Sequence, residues 1–448
     1  MLDRRTFLAT LGLAGALSAQ TTRRPNVLVF LSDQESERVP RELLRLPNRE
    51  RLERRGVRFT RAWCATPQCS PARGALWTGR WPHRTGVVAN IGAEGASPLD
   101  PKIPSIGSVF RNAGYETGYF GKWHLSEGRN VDAKAFGYDA FRERGDSPGD
   151  AGVAAAAAQW IEARERPWMA VVSLIQPHDV YDFPRARAEA EARDEQMPVR
   201  PGTPAPASGA EDLAERPEPQ RAYREQDQGQ PVIGYDSKDW QRYRSFYYDL
   251  IEDADRNLGV VLDSLGDRVS DTVIAYTSDH GDGLGAHGLP FKGPFFYEEV
   301  LNIPLVLTWP AHYGQALVSD ELVSQVDLLP TLCELAGVEL EGADGASLRP
   351  ALEGKPLGRE EMFAEYHSKQ RWANPARIVR TKRWKLAEYL RGGRELYDLD
   401  KDPNERENLA GKGLPEEKEL LGRLDEHARR TTDVAWFERT EKGRPVNG

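Results

Sequence analysis

Cysteine is scarce: Cys64, Cys69 and Cys333 are the only ones in 448 residues. An odd count cannot close into a disulfide framework, so at least one is unpaired or chemically altered. Cys64 and Cys333 either pair or are simply buried. Also missing is a membrane-spanning run, since the apolar stretch from Leu8 to Leu17 is too short for a bilayer and no later segment is longer. Positive charge is in deficit as well. With 60 Lys and Arg against 69 Asp and Glu, the net charge is -9, which excludes a general binder of nucleic acid. Any anionic substrate must instead be met by a local basic pocket. No internal repeat recurs. Apolar content is ordinary at 39%, enough for a sizeable core in one large or two unequal domains.

At the start of the chain, Asp3-Arg4-Arg5-Thr6-Phe7-Leu8 precedes the apolar run, and small residues follow at Ser18 and Ala19. This pattern is a twin-arginine export signal over residues 1–19. It implies the twin-arginine machinery as a partner, a mature chain from near Gln20, and a periplasmic or extracellular location without a stable membrane span. Retention as a short N-terminal anchor is the alternative. Twin-arginine export carries folded proteins, which suits one whose metal or modified residue is installed beforehand.

Four later segments share one form. Asn26 to Leu31 runs into Ser32-Asp33, and Glu116 to Phe120 into Gly121-Lys122-Trp123-His124. Trp168 to Ile175 runs into Gln176-Pro177-His178, and Thr272 to Thr277 into Ser278-Asp279-His280. Such apolar runs are strands of a parallel sheet covered on both faces. Helical spacing over Ile103–Ala113, Ala151–Ala163 and Trp240–Leu265 separates them. The alternation predicts an α/β protein with a large, mostly parallel sheet flanked by helices. In such sheets the ligand lies beyond the carboxyl ends of the strands, and all four runs end in ionisable or metal-binding side chains.

Residues 183–239 are rich in Pro, Glu, Arg and Gln with little periodicity, and read as an insertion over the sheet edge, either a lid or a solvated loop. The main domain spans 25–345. A smaller C-terminal subdomain, 346–448, shows antiparallel strands at Ala376–Arg380, Trp384–Tyr389 and Arg394–Leu399 and a closing helix over Pro415–Thr431.

Cys69-Ser70-Pro71-Ala72-Arg73 is the most informative stretch. Pro71 fits the first turn of a helix reaching Trp77, with Gly79 just past its end, which puts Cys69 at a helix N-terminus where anions bind. This is a poor setting for a thiol enzyme and a good one for an oxidised cysteine. Asp33, Asp279 and His280 offer two hard oxygens and an imidazole, enough for a divalent cation with positions open to substrate. Gln34 can add a carbonyl oxygen, and Asp282 is a rival ligand. Lys122 and His124 stand two apart on an extended segment and so share a face. His178 and Lys292 come from other connections. Cations and histidines gathered around a metal suit a tetrahedral oxyanion, and phosphoryl and sulfuryl transfer both qualify.

These residues resemble the formylglycine-dependent sulfatases of the alkaline-phosphatase-like superfamily. Asn26-Val27-Leu28 through Asp33, Cys69 to Arg73 with Leu76-Trp77-Thr78-Gly79-Arg80, and Gly121-Lys122-Trp123-His124 carry the likeness. So do Ser278-Asp279-His280-Gly281-Asp282 with Gly285-Ala286-His287-Gly288, then Lys292-Gly293, and Glu395 to Leu399 before Asp402-Pro403. The resemblance implies that a maturation enzyme oxidises Cys69 to formylglycine, whose geminal diol is a renewable nucleophile. It implies that Arg73 and Lys122 hold the diol, that His124 assists its deprotonation or the elimination, and that His178 with Lys292 bind sulfate and protonate the leaving oxygen. Asp33, Gln34, Asp279, His280 and modified Cys69 are then the ligands of one divalent cation, calcium first, with Mg²⁺ and Mn²⁺ as alternatives.

Many sulfatases carry a second aspartate where this chain has Gln34. The pair Gln34 and His280 also resembles the phosphonate and phosphodiester hydrolases of the group. The expected activity is hydrolysis of a sulfated saccharide or small sulfate ester. The competing readings are a phosphodiester or phosphonate hydrolase and a non-catalytic binder of sulfated ligands.

Overall fold

A strand that is apolar on both faces is stable only inside a layered sheet, and β1 (Asn26–Asp33) is buried at every position. The computed structural model describes residues 24–436 apart from 94–95, 129–130, 144–148, 370–371, 392 and 434–435. The export signal at 1–19 lies outside the described residues. Along β1, Val27, Val29 and Leu31 enter one core, while Leu28 and Phe30 enter the other, the alternation that a pleated strand imposes.

The main sheet comprises β1, β2 (Gly56–Trp63), β3 (Glu116–Gly121), β4 (Ala140–Glu143), β5 (Trp168–Pro177), β6 (Thr272–Ser278), β7 (Asn302–Thr308), β8 (Leu317–Ser319) and β9 (Val323–Ser324). Its order is β4-β3-β5-β1-β6-β7-β2-β8, with β9 also on β2. The four strands expected from sequence are neighbours and parallel, so their carboxyl ends open on one edge. β7 runs antiparallel to both β6 and β2, which makes the sheet mixed.

Helices Gly149–Glu162 and Ser237–Leu265 cover the Leu28 face through Val153, Ala157, Ala254 and Leu258. Helices Cys69–Thr78 and Leu328–Ala336 cover the other through Trp77, Leu329 and Leu332. The third expected helix is shorter than its apolar spacing suggests, Ile106–Asn112, because the Ser105 amide donates to Ser108 Oγ at 2.9 Å and ends the extended approach there.

A second, antiparallel sheet holds β10 (Glu361–Lys369), β11 (Trp372–Thr381), β12 (Trp384–Tyr389) and β13 (Arg394–Asp398) in that order. Helix Pro415–Thr431 packs Leu420, Leu421 and Leu424 against Phe363, Val379, Leu386 and Leu396. Ala65, Ala75 and Val326 of the main domain join the same cluster.

Segment 183–239 contains helices Phe183–Ala192 and Glu218–Gln226 where the sequence showed little periodicity. The second of these is strongly polar, yet Gln220 and Tyr223 are fully buried. Gln220 donates to Tyr389 and Glu395, and Arg216 donates to Tyr397 Oη at 2.9 Å. Tyr223 donates to the Pro290 carbonyl at 2.9 Å. These distant polar partners, invisible to a periodicity argument, fold the segment into a strut between the second sheet and the loop carrying Lys292. Among the described residues no helix is long and apolar enough to cross a membrane.

Candidate active site

Ser32 pairs with Ser278 in the β1–β6 register, so Asp33 and Asp279 leave adjacent strands side by side. Both carboxylates are fully buried. Such a pair needs compensating cations, and Arg73 supplies the first. Its guanidinium donates to Asp33 Oδ2 at 2.8 Å and Asp279 Oδ2 at 3.0 Å, with Nη1 reaching Ser173 Oγ and the Lys122 carbonyl. Arg73 lies four residues into helix Cys69–Thr78, which ends at left-handed Gly79 as the sequence predicts. Cys69 opens that helix with its Sγ 3.2 Å from His280 Nε2 and 4.0 Å from Asp33 Oδ1.

The His280 ring is fixed by the carbonyl of Gly281, 2.9 Å from Nδ1. A carbonyl only accepts, so Nδ1 carries a proton, and Nε2 faces Cys69. Gln325, absent from the sequence reading, donates to the carbonyls of Ser278 and Asp279 and braces the end of β6. Nothing in the order of residues marks it, because it comes from a connection 46 residues away.

Lys122 reaches Asp33 Oδ2 at 2.5 Å by a different geometry from the one expected. The strand ends at Gly121, whose φ is 104° and where a Cβ would lie 1.8 Å from the Ser173 carbonyl oxygen. His124 adopts φ 58°. The two-residue alternation of a strand therefore does not govern Lys122 and His124. The buried Nδ1 of His124 has no hydrogen-bond partner among the described residues.

Lys292 donates to Gln34 Oε1 and lies 5.3 Å from the Tyr181 ring centre. The His178 ring packs 4.9 Å from that of Tyr181. Burial, then Lys292 and Lys122, push the His178 pKa down to about 3. Burial pushes the Cys69 thiol up, but Lys122 and Lys292 outweigh it and hold it well below the ordinary range. Asp33 is likewise held low against its burial, chiefly by Lys122, with Arg73 and Lys292. Asp279 is raised by burial and by Asp33.

Asp282, the rival ligand, is turned elsewhere. It accepts from Gln34 Nε2, Tyr243 Oη and the Leu284 amide. His287 stacks on Tyr297 with ring centres 4.0 Å apart. Cys64 and Cys333 are buried and free, so burial rather than pairing accounts for them.

Asp33, Cys69, Asp279 and His280 each present a ligand atom within 4.8 Å of the others, all of them buried. Arg73 occupies Oδ2 of both carboxylates, which leaves Oδ1 of each turned toward Cys69 or His280. Hard oxygens joined by one imidazole fit a divalent cation.

The sequence model of the Sulfatase family matches residues 25–338, and that of the N-sulphoglucosamine sulphohydrolase C-terminal region matches 285–432. The chain belongs to the sulfatase family. This sulfatase is 30% identical to Delta 4,5-hexuronate-2-O-sulfatase of Bacteroides thetaiotaomicron, over 94% of its own length and 92% of the relative. It superposes on the solved structure of a 2-O GAG sulfatase with TM-score 0.79 and 27% identity, covering 92% and 93% of the two chains. Phosphonate monoester hydrolase of Agrobacterium radiobacter matches with TM-score 0.72 and 25% identity, over 89% and 95%. The sulfatase is a sulfuric ester hydrolase on an alkaline-phosphatase-like fold.

Proposed function

We propose that this sulfatase removes sulfate from a sulfated saccharide outside the cytoplasm, using Cys69 after its oxidation to formylglycine by a maturation enzyme. The observation that carries the reading is the setting of Cys69: a buried helix N-terminus, 3.2 Å from His280 Nε2, under the charge of Lys122 and Lys292. The hydrated aldehyde offers one hydroxyl to attack sulfur and a second whose collapse expels sulfate and restores the aldehyde.

The chain's own groups serve each stage. Arg73 and Lys122 hold the nucleophile and neutralise charge around it. His124, whose Nδ1 has no partner among the described residues, takes the proton of the second hydroxyl. His178 and Lys292 meet the sulfuryl oxygens, and Lys292 delivers a proton to the leaving alcohol, since burial and the two lysines keep His178 neutral. Asp33, Asp279, His280, Gln34 and modified Cys69 would hold the cation, calcium by preference for oxygen donors, which supplies further positive charge at sulfur.

The relative that acts on a hexuronate sulfate supports a saccharide substrate, and the twin-arginine pattern supports export. The test is release of inorganic sulfate from sulfated oligosaccharides by protein co-expressed with a formylglycine-generating enzyme. Gln34 and the likeness to a phosphonate monoester hydrolase favour one second reading. Cleavage of phosphonate monoesters or phosphodiesters without sulfate release would move the assignment there. An unmodified thiol in the Cys69 peptide from the native host, read by mass spectrometry, would favour a non-catalytic binder.

A further inference from the structure

Gln34 is fully buried and takes φ 72°, a left-handed conformation rare for a side chain of its kind. Each of its four polar atoms has a partner. Its amide donates to Asp279 Oδ1 at 3.0 Å and its carbonyl accepts from Tyr247 Oη at 2.7 Å. In the side chain, Nε2 donates to Asp282 Oδ2 at 2.7 Å and Oε1 accepts from Lys292. The main chain is thus clamped, and the open question for this residue is which end of its amide faces the cation site. The contact with Asp279 Oδ1 places the residue beside that site, and Lys292 reaches its side-chain oxygen.

A flip of the amide would set its NH₂ against the Lys292 ammonium and its oxygen against a carboxylate, losing both hydrogen bonds. Both oxygens of Asp282 face donors. Its Oδ1 takes the Leu284 amide at 2.8 Å, and Tyr243 Oη lies 2.9 Å from both oxygens. The backbone beneath it is equally constrained. A Cβ on Gly281 would lie 2.1 Å from the Glu299 carbonyl oxygen, and the Gly283 amide donates to the Phe291 carbonyl at 2.6 Å.

We propose that Asp282 is a positioning residue that fixes the Gln34 amide with its oxygen toward the cation site, and that this chain depends on it because an amide, unlike a carboxylate, has only one end that can ligate. The inference rests on the cation site assigned above and on Gln34 as one of its ligands. Partners behind metal ligands typically set affinity over roughly 10- to 100-fold.

In Asp282→Asn the Leu284 amide still demands an oxygen at the Oδ1 position. The introduced NH₂ therefore faces the Gln34 NH₂ and removes the contact that, together with Lys292, fixes the amide. Calorimetric titration with CaCl₂ and with MnCl₂ should show the cation bound about 10- to 100-fold more weakly. In a Gln34→Glu background the sign changes. The introduced carboxylate offers oxygen at both ends, and the same Asp282→Asn substitution relieves a carboxylate–carboxylate contact, so affinity should be equal or tighter. Equal losses in the two backgrounds would mean that Asp282 acts by its own charge or ligation and would overturn the proposal, as would no loss with Gln34 present. If Asp282→Asn alone does not fold, the Gln34→Glu pair decides: weaker binding in the double variant overturns the proposal. Asp279→Ala separates the underlying reading. Unchanged cation binding there would reject the site itself, whereas loss there with none in Asp282→Asn would reject only the orientation.

Discussion

The Arg73 guanidinium donates to Asp33 Oδ2 at 2.8 Å, and neither side chain is exposed. The same guanidinium spans Asp279, Ser173 and the Lys122 carbonyl. A lysine keeps the charge but lacks the fork that reaches all of these at once. Arg73→Lys is expected to lower kcat/KM about 10²- to 10³-fold and to reduce bound cation, measured by steady-state kinetics and elemental analysis. A loss of less than a few-fold, on the order of a solvated charge, would place Arg73 outside the working machinery.

Cys69→Ala should remove turnover by more than about 10³-fold while circular dichroism stays unchanged. The buried side chain is small and the first turn of the helix tolerates alanine. Sulfate release at the parental rate would show that another group is the nucleophile.

Gln220 donates to Tyr389 Oη at 3.0 Å and Glu395 Oε2 at 2.9 Å and accepts from Tyr297 Oη at 2.7 Å, entirely out of solvent. Gln220→Ala leaves those groups short of partners. The expected cost is about 2–4 kcal/mol in denaturant unfolding, together with faster proteolysis within residues 183–239. Parental protease resistance with parental stability would show that the strut is held by other contacts.

The two sheets are also joined through His83. Its Nδ1 lies 2.8 Å from Glu365 Oε2 and its Nε2 lies 3.1 Å from the Thr431 carbonyl, both acceptors. Asp433, Arg377, His367, His427 and Arg430 surround the pair. Burial opposes charge on His83, yet Glu365 raises its pKa above 6.5. Burial likewise opposes charge on Glu365, yet His83 and Arg377 hold it well below 4.5. A raised histidine stabilises fully below its unfolded value and loses that contribution as pH rises through the folded one. A depressed carboxylate stabilises above its unfolded value and loses that contribution as pH falls through the folded one. The pair therefore contributes fully between the ordinary values of 4.5 and 6.5 and fades on either side. His83→Gln should cost about 2 kcal/mol near pH 6 and clearly less near pH 9, read as thermal unfolding of both proteins. A pH-independent difference would show that His83 is neutral in the fold.

Strands β1, β3, β5 and β6 were legible because a parallel strand buried on both faces must be apolar throughout, and each ends in a residue with distinctive chemistry. β2 and β10 were not. Three of the eight residues of β2 are only partly buried, and its pairing with β7 shifts between Phe59 and Ala62. β10 buries Glu365, which reads as a surface residue until His83 and Arg377 are seen beside it. His124 failed the alternation argument for a local reason: the strand stops at Gly121, so spacing no longer reports direction.

The order of residues alone determined which groups this protein owns: a cysteine before a helix, two acids and a histidine at strand ends, and cations on separate loops. Helix starts and strand ends are local matters, governed by a proline, a glycine or a run of apolar side chains. Only the tertiary structure decided which atom of each group faces which. The amide of Gln34 is oriented by Asp282, 248 residues away, and no short-range rule of sequence carries a constraint that arises from packing and hydrogen bonding between distant segments.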